Sequence, residues 1–310
     1  MLAAFMPSYA DVLAARERTR EHLHTTPVLT CSTLDRHAGA SLFFKCENFQ
    51  KTGSFKPRGA LNAVMRLPGG TPGVVTDSSG NFGQALAWAA ARQGLPCTVV
   101  MPADAPEVKQ AAVRGYGGEV VLCPPTLAGR LEYRTRIADE TGATYVPPFD
   151  HPDVIAGQGT CALELIEQVP GLDAIVAPIG GGGLIGGLAL VGREHFIPVF
   201  AAEPRGADDA ARSKAAGRRI PEPNPKTMAK GLLVSVGEAN WPLLRDAVED
   251  VLVVDEADIL EAMRLVWERM KLVIEPSAAV GLAAALKHPL SGRVGVVLSG
   301  GNVDLGELPV

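Results

Sequence analysis

The segment that most restricts what this chain can fold into is Ala174-Ile-Val-Ala-Pro-Ile-Gly-Gly-Gly-Gly-Leu-Ile-Gly-Gly187. An apolar strand signal runs into four consecutive glycines, Gly180 to Gly183, and a helix signal follows. So many glycines are costly inside a regular element, so the run must be a tight loop between strand and helix. Glycine also lets the backbone close around an anion without side-chain obstruction, and the helix N-terminus adds partial positive charge. The segment therefore reads as a phosphate cradle. No Gly-Lys-Ser/Thr follows, so it is not a nucleotide P-loop. It does satisfy G-x-G-x-x-G as Gly181, Gly183 and Gly186, and Glu203 ends the next strand signal, near where a ribose-binding acid belongs. A nicotinamide dinucleotide site is thus a competing reading. The uncharged run from Ala174 to Gly192 has the length of a membrane span, but its glycines and Pro178 argue for a loop instead.

Residues 52–60 read Thr-Gly-Ser-Phe-Lys-Pro-Arg-Gly-Ala. Ser54 is suited to cap a helix N-terminus, and Pro57 stands where proline is tolerated, inside the first turn. This puts Lys56 at a helix start, where the dipole disfavours a positive charge. A lysine so placed has reason to be a neutral amine, and a neutral amine condenses with carbonyls to Schiff bases. A surface lysine in a turn would carry the same local pattern.

Two further segments end strand signals. Thr76-Asp-Ser-Ser-Gly-Asn-Phe-Gly-Gln84 follows a strand signal at 73–76 and precedes a helix signal. Such a junction presents free backbone N–H groups, and its serines, glycine and asparagine suit a carboxylate, although ordinary capped turns look alike. Val294-Gly-Val-Val-Leu-Ser-Gly-Gly-Asn-Val-Asp304 ends a strand in Ser299 and two glycines. A dinucleotide site has no use for it, nor for Lys56.

Together the four segments resemble the fold-type II pyridoxal phosphate enzymes, in particular the serine racemase and serine/threonine dehydratase family, with eukaryotic-type serine racemases nearest in pattern. The resemblance runs from Phe-Phe-Lys-Cys-Glu at 43–47 to Leu-Ser-Gly-Gly-Asn-Val-Asp-Leu at 298–305. It takes in Ala-Gly-Gln-Gly-Thr at 156–160, Ala-Glu-Pro at 202–204 and Val-Trp-Glu-Arg-Met-Lys-Leu at 266–272.

The resemblance implies an α/β fold of the tryptophan synthase β type, in two lobes that each carry a mainly parallel sheet flanked by helices. Residues 1–66 and 149–310 would form a discontinuous large cofactor-binding domain, and 67–148 a small mobile one. Pyridoxal 5'-phosphate would be held by Lys56, with Phe55 on a ring face, Gly180, Gly181, Gly182 and Gly183 at the phosphate, Asn81 at the phenolic oxygen and Ser299 at the pyridine nitrogen. A hydroxyl stabilises a pyridinium less than a carboxylate does, which suits elimination or reprotonation at Cα. Lys56 is the implied base on one face of the substrate, and Ser79 matches the acid–base residue of racemases on the other. Ser78, Ser79, Asn81, Phe82 and Arg130 make up the implied substrate-binding set. Glu203, the Ala207 carbonyl and Asp209 match a site for Mg²⁺, Ca²⁺ or Mn²⁺. The implied protein is a cytoplasmic homodimer with a nucleotide effector. It racemises serine and dehydrates L-serine and related β-hydroxy amino acids to keto acid and ammonia.

Two residues depart from the pattern. Phe82 stands where histidine is usual, and Lys230, in Thr227-Met-Ala-Lys-Gly231, where an acid is usual. A lysine near the pocket would favour an acidic substrate such as hydroxyaspartate or aspartate, and one pointing to solvent would favour none. A dedicated threonine/serine or hydroxyaspartate dehydratase and an aspartate racemase are therefore alternatives. Read alone, Arg130 is equally a surface arginine, Ser79 a turn hydroxyl, and Glu203 and Asp209 solvated acids. A nicotinamide-dependent oxidoreductase and a catalytically silent binding protein complete the candidate classes.

Composition agrees. With 310 residues, 47% of them hydrophobic, the chain can bury a large core. Its net charge of −5 offers nothing to nucleic acid. Asp11, Arg16, Glu17 and Arg18 come too early for a signal peptide. Cysteines 31, 46, 97, 123 and 161 form no CxxC pair and fit reduced thiols. Strand signals at 42–46, 73–76, 97–101, 119–122, 174–177, 199–202 and 294–298 alternate with helical ones such as 84–93, 131–140 and 259–271. Pattern alone also allows one wide parallel sheet.

Overall fold

The computed structural model describes residues 6–304. Residues 1–5 and 305–310, at the expected ends of the large domain, lie outside the described residues, and so does Leu305 of the last motif. The first half of the chain runs α1 (Tyr9–Thr19), β1 (Val28–Leu29), α2 (Ser32–Ala38), β2 (Ser41–Cys46), α3 (Lys56–Met65), β3 (Val74–Thr76), α4 (Asn81–Arg92), β4 (Cys97–Pro102), α5 (Glu107–Gly115), β5 (Glu119–Cys123), α6 (Leu127–Thr141) and β6 (Thr144–Tyr145). The second runs α7 (Pro152–Gln168), β7 (Ala174–Pro178), α8 (Gly183–Glu194), β8 (Val199–Pro204), α9 (Asp209–Ala216), α10 (Trp241–Ala247), β9 (Val251–Val254), α11 (Glu256–Leu265), α12 (Pro276–Lys287) and β10 (Arg293–Leu298).

The strands form two sheets, of order β1-β2-β10-β7-β8-β9 and β5-β4-β3-β6. Every neighbouring pair is parallel except β1 with β2. One wide sheet is therefore excluded, and the fold is α/β with two mostly parallel sheets flanked by helices. Every residue of β7 is buried, and in β10 only Arg293 is exposed. Helices cover both faces of these strands, which is why they read as unbroken apolar runs. No helix among the described residues is long and apolar enough to cross a membrane.

Element ends differ from the sequence reading for local reasons. Three helices begin about a turn earlier than their apolar periodicity suggests. Thr126 caps α6, and Asp255 and Asp258 make a capping box on α11. The expected helix 259–271 is α11 followed by a π-helix, Val266–Met270, stopped by Lys271 at φ 60°. Ser54 does not cap α3. The N-cap is Phe55, and Ser54 is extended and forms a β-bridge with Gly300. Its hydroxyl is buried without a partner.

The Ala-Gly-Gln-Gly-Thr motif belongs to α7 and works by close approach. A Cβ at Gly157 would stand 2.5 Å from the Arg58 carbonyl oxygen, and one at Gly59 would stand 2.5 Å from Gln158 Nε2. Only glycines let α3 and α7 cross so tightly. Beside the crossing, Arg58 is completely buried. It donates through Nε and Nη2 to the two Glu47 oxygens at 2.7 and 2.8 Å, and through Nη1 and Nη2 to Glu164 at 2.7 and 2.8 Å. Thr160 Oγ1 accepts a further bond at 3.2 Å. Lys45, also buried, donates to Glu164, the Thr26 carbonyl and Gln168, each at 2.8 Å. Two cations thus face two carboxylates. Burial alone would depress the guanidinium pKa, but Glu47 and Glu164 hold it well above its ordinary value.

Breaking such a network by one member strands a buried charge. Glu47→Ala should lower unfolding free energy by roughly 3–5 kcal/mol, read from denaturant titration, because Arg58 keeps its charge and loses two acceptors.

Candidate active site

Lys56 is the first residue of α3, with Pro57 in the same turn. The residue is half-buried, and its amine is desolvated. Nζ donates to the Pro148 carbonyl at 3.0 Å and stands 5.0 Å from the Phe55 ring centroid and 5.7 Å from that of Phe82. Desolvation lowers its pKa to about 8, against a smaller upward pull from Glu275. The neutral amine expected from the helix start is thus favoured, chiefly by burial.

The glycine loop is reached through Phe149, the residue after the Pro148 acceptor. Phe149 packs on it so closely that a Cβ at Gly181 would run into the Phe149 ring, and one at Gly183 would stand 3.1 Å from Phe149 Cα. Gly182 is the N-cap of α8 at φ +96°, a conformation side chains resist, and a Cβ there would stand 2.8 Å from Asn240 Cβ. Behind Gly180 lies the Lys230–Leu232 turn, with Leu232 Cα 3.1 Å from where a Cβ would be. The cradle is therefore backbone, opening on the N-terminus of a twelve-residue helix, and suits an anionic group.

The other strand ends converge on the same place. Phe55 N–H donates to the Ser299 carbonyl at 3.0 Å, which ties the start of α3 to the end of β10. Asn81 opens α4, and its side chain donates to Glu275 Oε1 at 2.9 Å. Asn302 donates to Asn81 Oδ1 at 2.9 Å and to the Thr52 carbonyl at 2.7 Å. Phe82 is buried beneath Lys56. Ser78 Oγ accepts from Gly80 N–H at 3.4 Å, and no described hydrogen bond engages Ser79. The structure thus gathers Lys56, Phe55, Asn81, Phe82, Gly180 to Gly183 and Ser299. Arg130 is not joined to them by any described contact. It stands half-buried on α6, its charge opposing the burial that raises the Cys123 thiol.

Glu275 is the residue that sequence reading missed. Burial, opposed by the Asn81 hydrogen bond and by Lys109 and Lys56, raises its carboxyl to about 7. Its only sequence signal is Glu-Pro before an alanine-rich helix, which any helix start shares.

Glu203, at the end of β8, and Asp209, at the start of α9, are both buried. Glu203 accepts from Ala210 and Ala211 N–H at 3.2 and 2.7 Å, and Asp209 accepts from Val236 N–H at 2.9 Å. Burial raises both carboxyls, Glu203 to about 8 and Asp209 to about 6. They are not the solvated acids that pattern alone allowed. Among the described residues no three His, Cys, Asp or Glu side chains group as metal ligands. This pair with the Ala207 carbonyl offers two carboxylates and no third.

Residues 19–300 match the model of a family described as pyridoxal-phosphate dependent enzyme. A beta-hydroxyaspartate dehydratase of Paracoccus denitrificans (strain Pd 1222) is 49% identical over 98% of this chain and 99% of its own. A serine racemase of Arabidopsis thaliana is 47% identical over 96% of this chain and 95% of its own. The solved structure of maize serine racemase, 43% identical, superposes with a TM-score of 0.95 over 97% of this chain and 95% of its own.

A pH experiment tests the site's charge balance. Glu275 has a folded-state pKa above its ordinary value, so the folded protein holds this proton between pH about 4.5 and about 7 while the unfolded chain releases it. Its contribution to stability falls as pH rises through that window. In cofactor-free protein, Glu275→Gln should remove on the order of 1–3 kcal/mol of that decline, measured by urea unfolding at pH 5 and pH 7.5.

Proposed function

The chain belongs to the pyridoxal-phosphate dependent enzyme family, and on that premise we propose that it racemises serine and also dehydrates L-serine and related β-hydroxy amino acids to keto acid and ammonia. The observation that carries this reading is the Lys56 amine, its pKa lowered to about 8 and its acceptor the Pro148 carbonyl, together with a side-chain-free glycine loop packed on the next residue, Phe149. When bound, pyridoxal phosphate supplies an aldehyde for amines and a ring that withdraws electrons from Cα. The residues fit it. The α8 N-terminus with Gly180 to Gly183 would take the phosphate, Phe55 and the Ser299 hydroxyl would meet the ring, and Asn81 its phenolic oxygen.

Lys56 then acts as base and acid at Cα, a role suited to an amine with pKa about 8. Ser78, Ser79 and the N-terminus of α4 hold the substrate's carboxylate. The Ser79 hydroxyl, unengaged by any described hydrogen bond, delivers a proton to Cα from the face opposite Lys56. Phe82 excludes water beneath the lysine. Residues 67–148 act as a small domain that moves over residues 1–66 and 149–310, a division supported by the four-stranded sheet. Arg130 assists carboxylate binding on its closure. A cytoplasmic homodimer under nucleotide control completes the proposal and rests on the sequence resemblance.

The hydroxyaspartate dehydratase relative favours a second reading, a dehydratase for dicarboxylic substrates. Lys230 supports it as an exposed cation on the turn that backs the cradle.

One set of reactions tests both. Borohydride should fix the cofactor on Lys56, and Lys56→Ala should abolish turnover. Wild-type protein should convert L-serine both to keto acid, followed by a coupled dehydrogenase, and to D-serine, followed by chiral chromatography. Ser79→Ala should cut D-serine formation roughly a hundredfold and spare keto acid formation, since only racemisation needs the second face. Equal losses would assign Ser79 to positioning. Turnover of L-threo-3-hydroxyaspartate without D-serine would select the second reading.

We also propose that Glu203, Asp209 and the Ala207 carbonyl hold Mg²⁺, with Ca²⁺ or Mn²⁺ as substitutes. Two buried carboxylates without a cationic hydrogen-bond partner support it. A ligand specific to the folded state stabilises it by mass action. Millimolar Mg²⁺ should raise the melting temperature of chelator-treated protein by several degrees, and Glu203→Gln should cancel the gain. An unchanged melting curve would remove the site.

A further inference from the structure

The loop from Asp77 to Gly80 joins β3 to α4 and carries the serines assigned above to the substrate. We propose that Asp77, Tyr145 and Arg134 form a charge-neutral clamp that positions this loop and keeps it receptive to the substrate's carboxylate. The proposal rests on the reading that residues 78–80 bind that carboxylate.

Each member comes from a different element of the four-stranded sheet and its cover. Asp77 directly follows β3, Tyr145 is the last residue of β6, and Arg134 lies on α6. The register of β3 with β6 pairs Val75 with Tyr145, and Asp77 stands two residues further on, so it projects on the same side. Tyr145 Oη donates to Asp77 Oδ1 at 3.0 Å. Arg134 Nη1 lies 3.6 Å from Asp77 Oδ2, and its Cζ lies 3.9 Å from the Tyr145 ring centroid. Each side chain therefore touches the other two. The Asp77 and Arg134 side chains are 12% and 20% exposed, so water screens the pair only partly. Burial, then the charge of Asp77, holds the Tyr145 hydroxyl up at about 12, so it stays a donor.

From the other side the loop is pressed by α4, where a Cβ at Gly83 would collide with the Ser78 carbonyl oxygen. The backbone of Ser78 is thus caught between Gly83 and the anchored Asp77. The two partners of Asp77 do different work. Tyr145 fixes where the loop leaves the sheet. Arg134 cancels a negative charge one residue away from a site meant for an anion. Without that cation, Asp77 would repel every amino-acid substrate, and a dicarboxylate more strongly than serine.

The test uses holoenzyme and two readouts, steady-state kinetics with L-serine and a spectral titration of the bound cofactor with α-methylserine, which binds without losing a Cα proton. Arg134→Gln should raise KM and the spectral dissociation constant roughly five- to tenfold with little change in kcat, and the rise should shrink at high ionic strength. Arg134→Lys, which keeps the charge, should stay near wild type. Adding Asp77→Asn to Arg134→Gln should recover most of the loss, because the uncompensated anion is gone. Tyr145→Phe should raise both constants without a change in their salt dependence. If the double variant is worse than Arg134→Gln alone, or if kcat falls together with melting temperature while KM and the spectral constant stay unchanged, the three residues are only part of the fold and the clamp is overturned. Unaltered constants in every variant overturn it as well. A wild-type protein with a bound cofactor but no spectral response to α-methylserine would instead refute the loop assignment itself, and the clamp with it.

Discussion

A completely buried guanidinium fixes the geometry on which the rest of this molecule depends. Arg58 lies two residues after Lys56 on α3, and its donors are shared between Glu47 and Glu164, with Thr160 taking another. Those acceptors come from the segment after β2 and from α7, so the network sets both the depth and the rotation of α3. Removing a charge from water is expensive unless every lone pair and proton is met, so α3 has little freedom to slide. The glycine crossing of α3 with α7 acts in the same direction, because the two backbones are already in contact there. The reactive amine is thereby carried on a helix whose position the core determines.

That anchoring explains how Lys56 can be held deep, with a lowered proton affinity, without a dedicated base. Its amine finds one described acceptor, the Pro148 carbonyl, and two aromatic rings. Desolvation then does most of the work on its proton affinity, and Glu275 opposes it weakly. Glu275 is itself raised to about 7, chiefly by burial, so lysine and glutamic acid both exchange protons near neutral pH. A fully ionised pair here would hold the amine as ammonium and silence it as a nucleophile.

Some of this was legible from the sequence because its constraint is local. Four glycines between an apolar strand and a helix demand a tight backbone loop, and proline after Lys56 suits the first turn of a helix. Strands buried on both faces announced themselves as apolar runs. Ser54 misled, because a good capping residue was drawn instead into a bridge with Gly300, which lies far along the chain. Glu275, Asp77 and the Arg58 network stayed hidden for the same reason. Their partners are 194, 68 and up to 106 residues away, and no periodicity encodes such pairings. Arg130 shows the converse, since a helix position alone did not say whether its side chain would reach the site.

The two departures from the family pattern acquire physical meaning at this level. Phe82 is a core residue of the four-stranded unit as well as a wall of the site, so a polar residue there would have to find partners among Leu61, Ala85 and Val99. Lys230 is exposed, on the turn whose Leu232 backs Gly180. Racemisation and elimination share the loss of the Cα proton and diverge only afterwards, according to which group next reaches Cα or the departing hydroxyl. A site that fixes its base through a buried ion network, and leaves its charged periphery free to vary, can shift between those outcomes, and between mono- and dicarboxylic substrates, without disturbing the helix that carries the lysine.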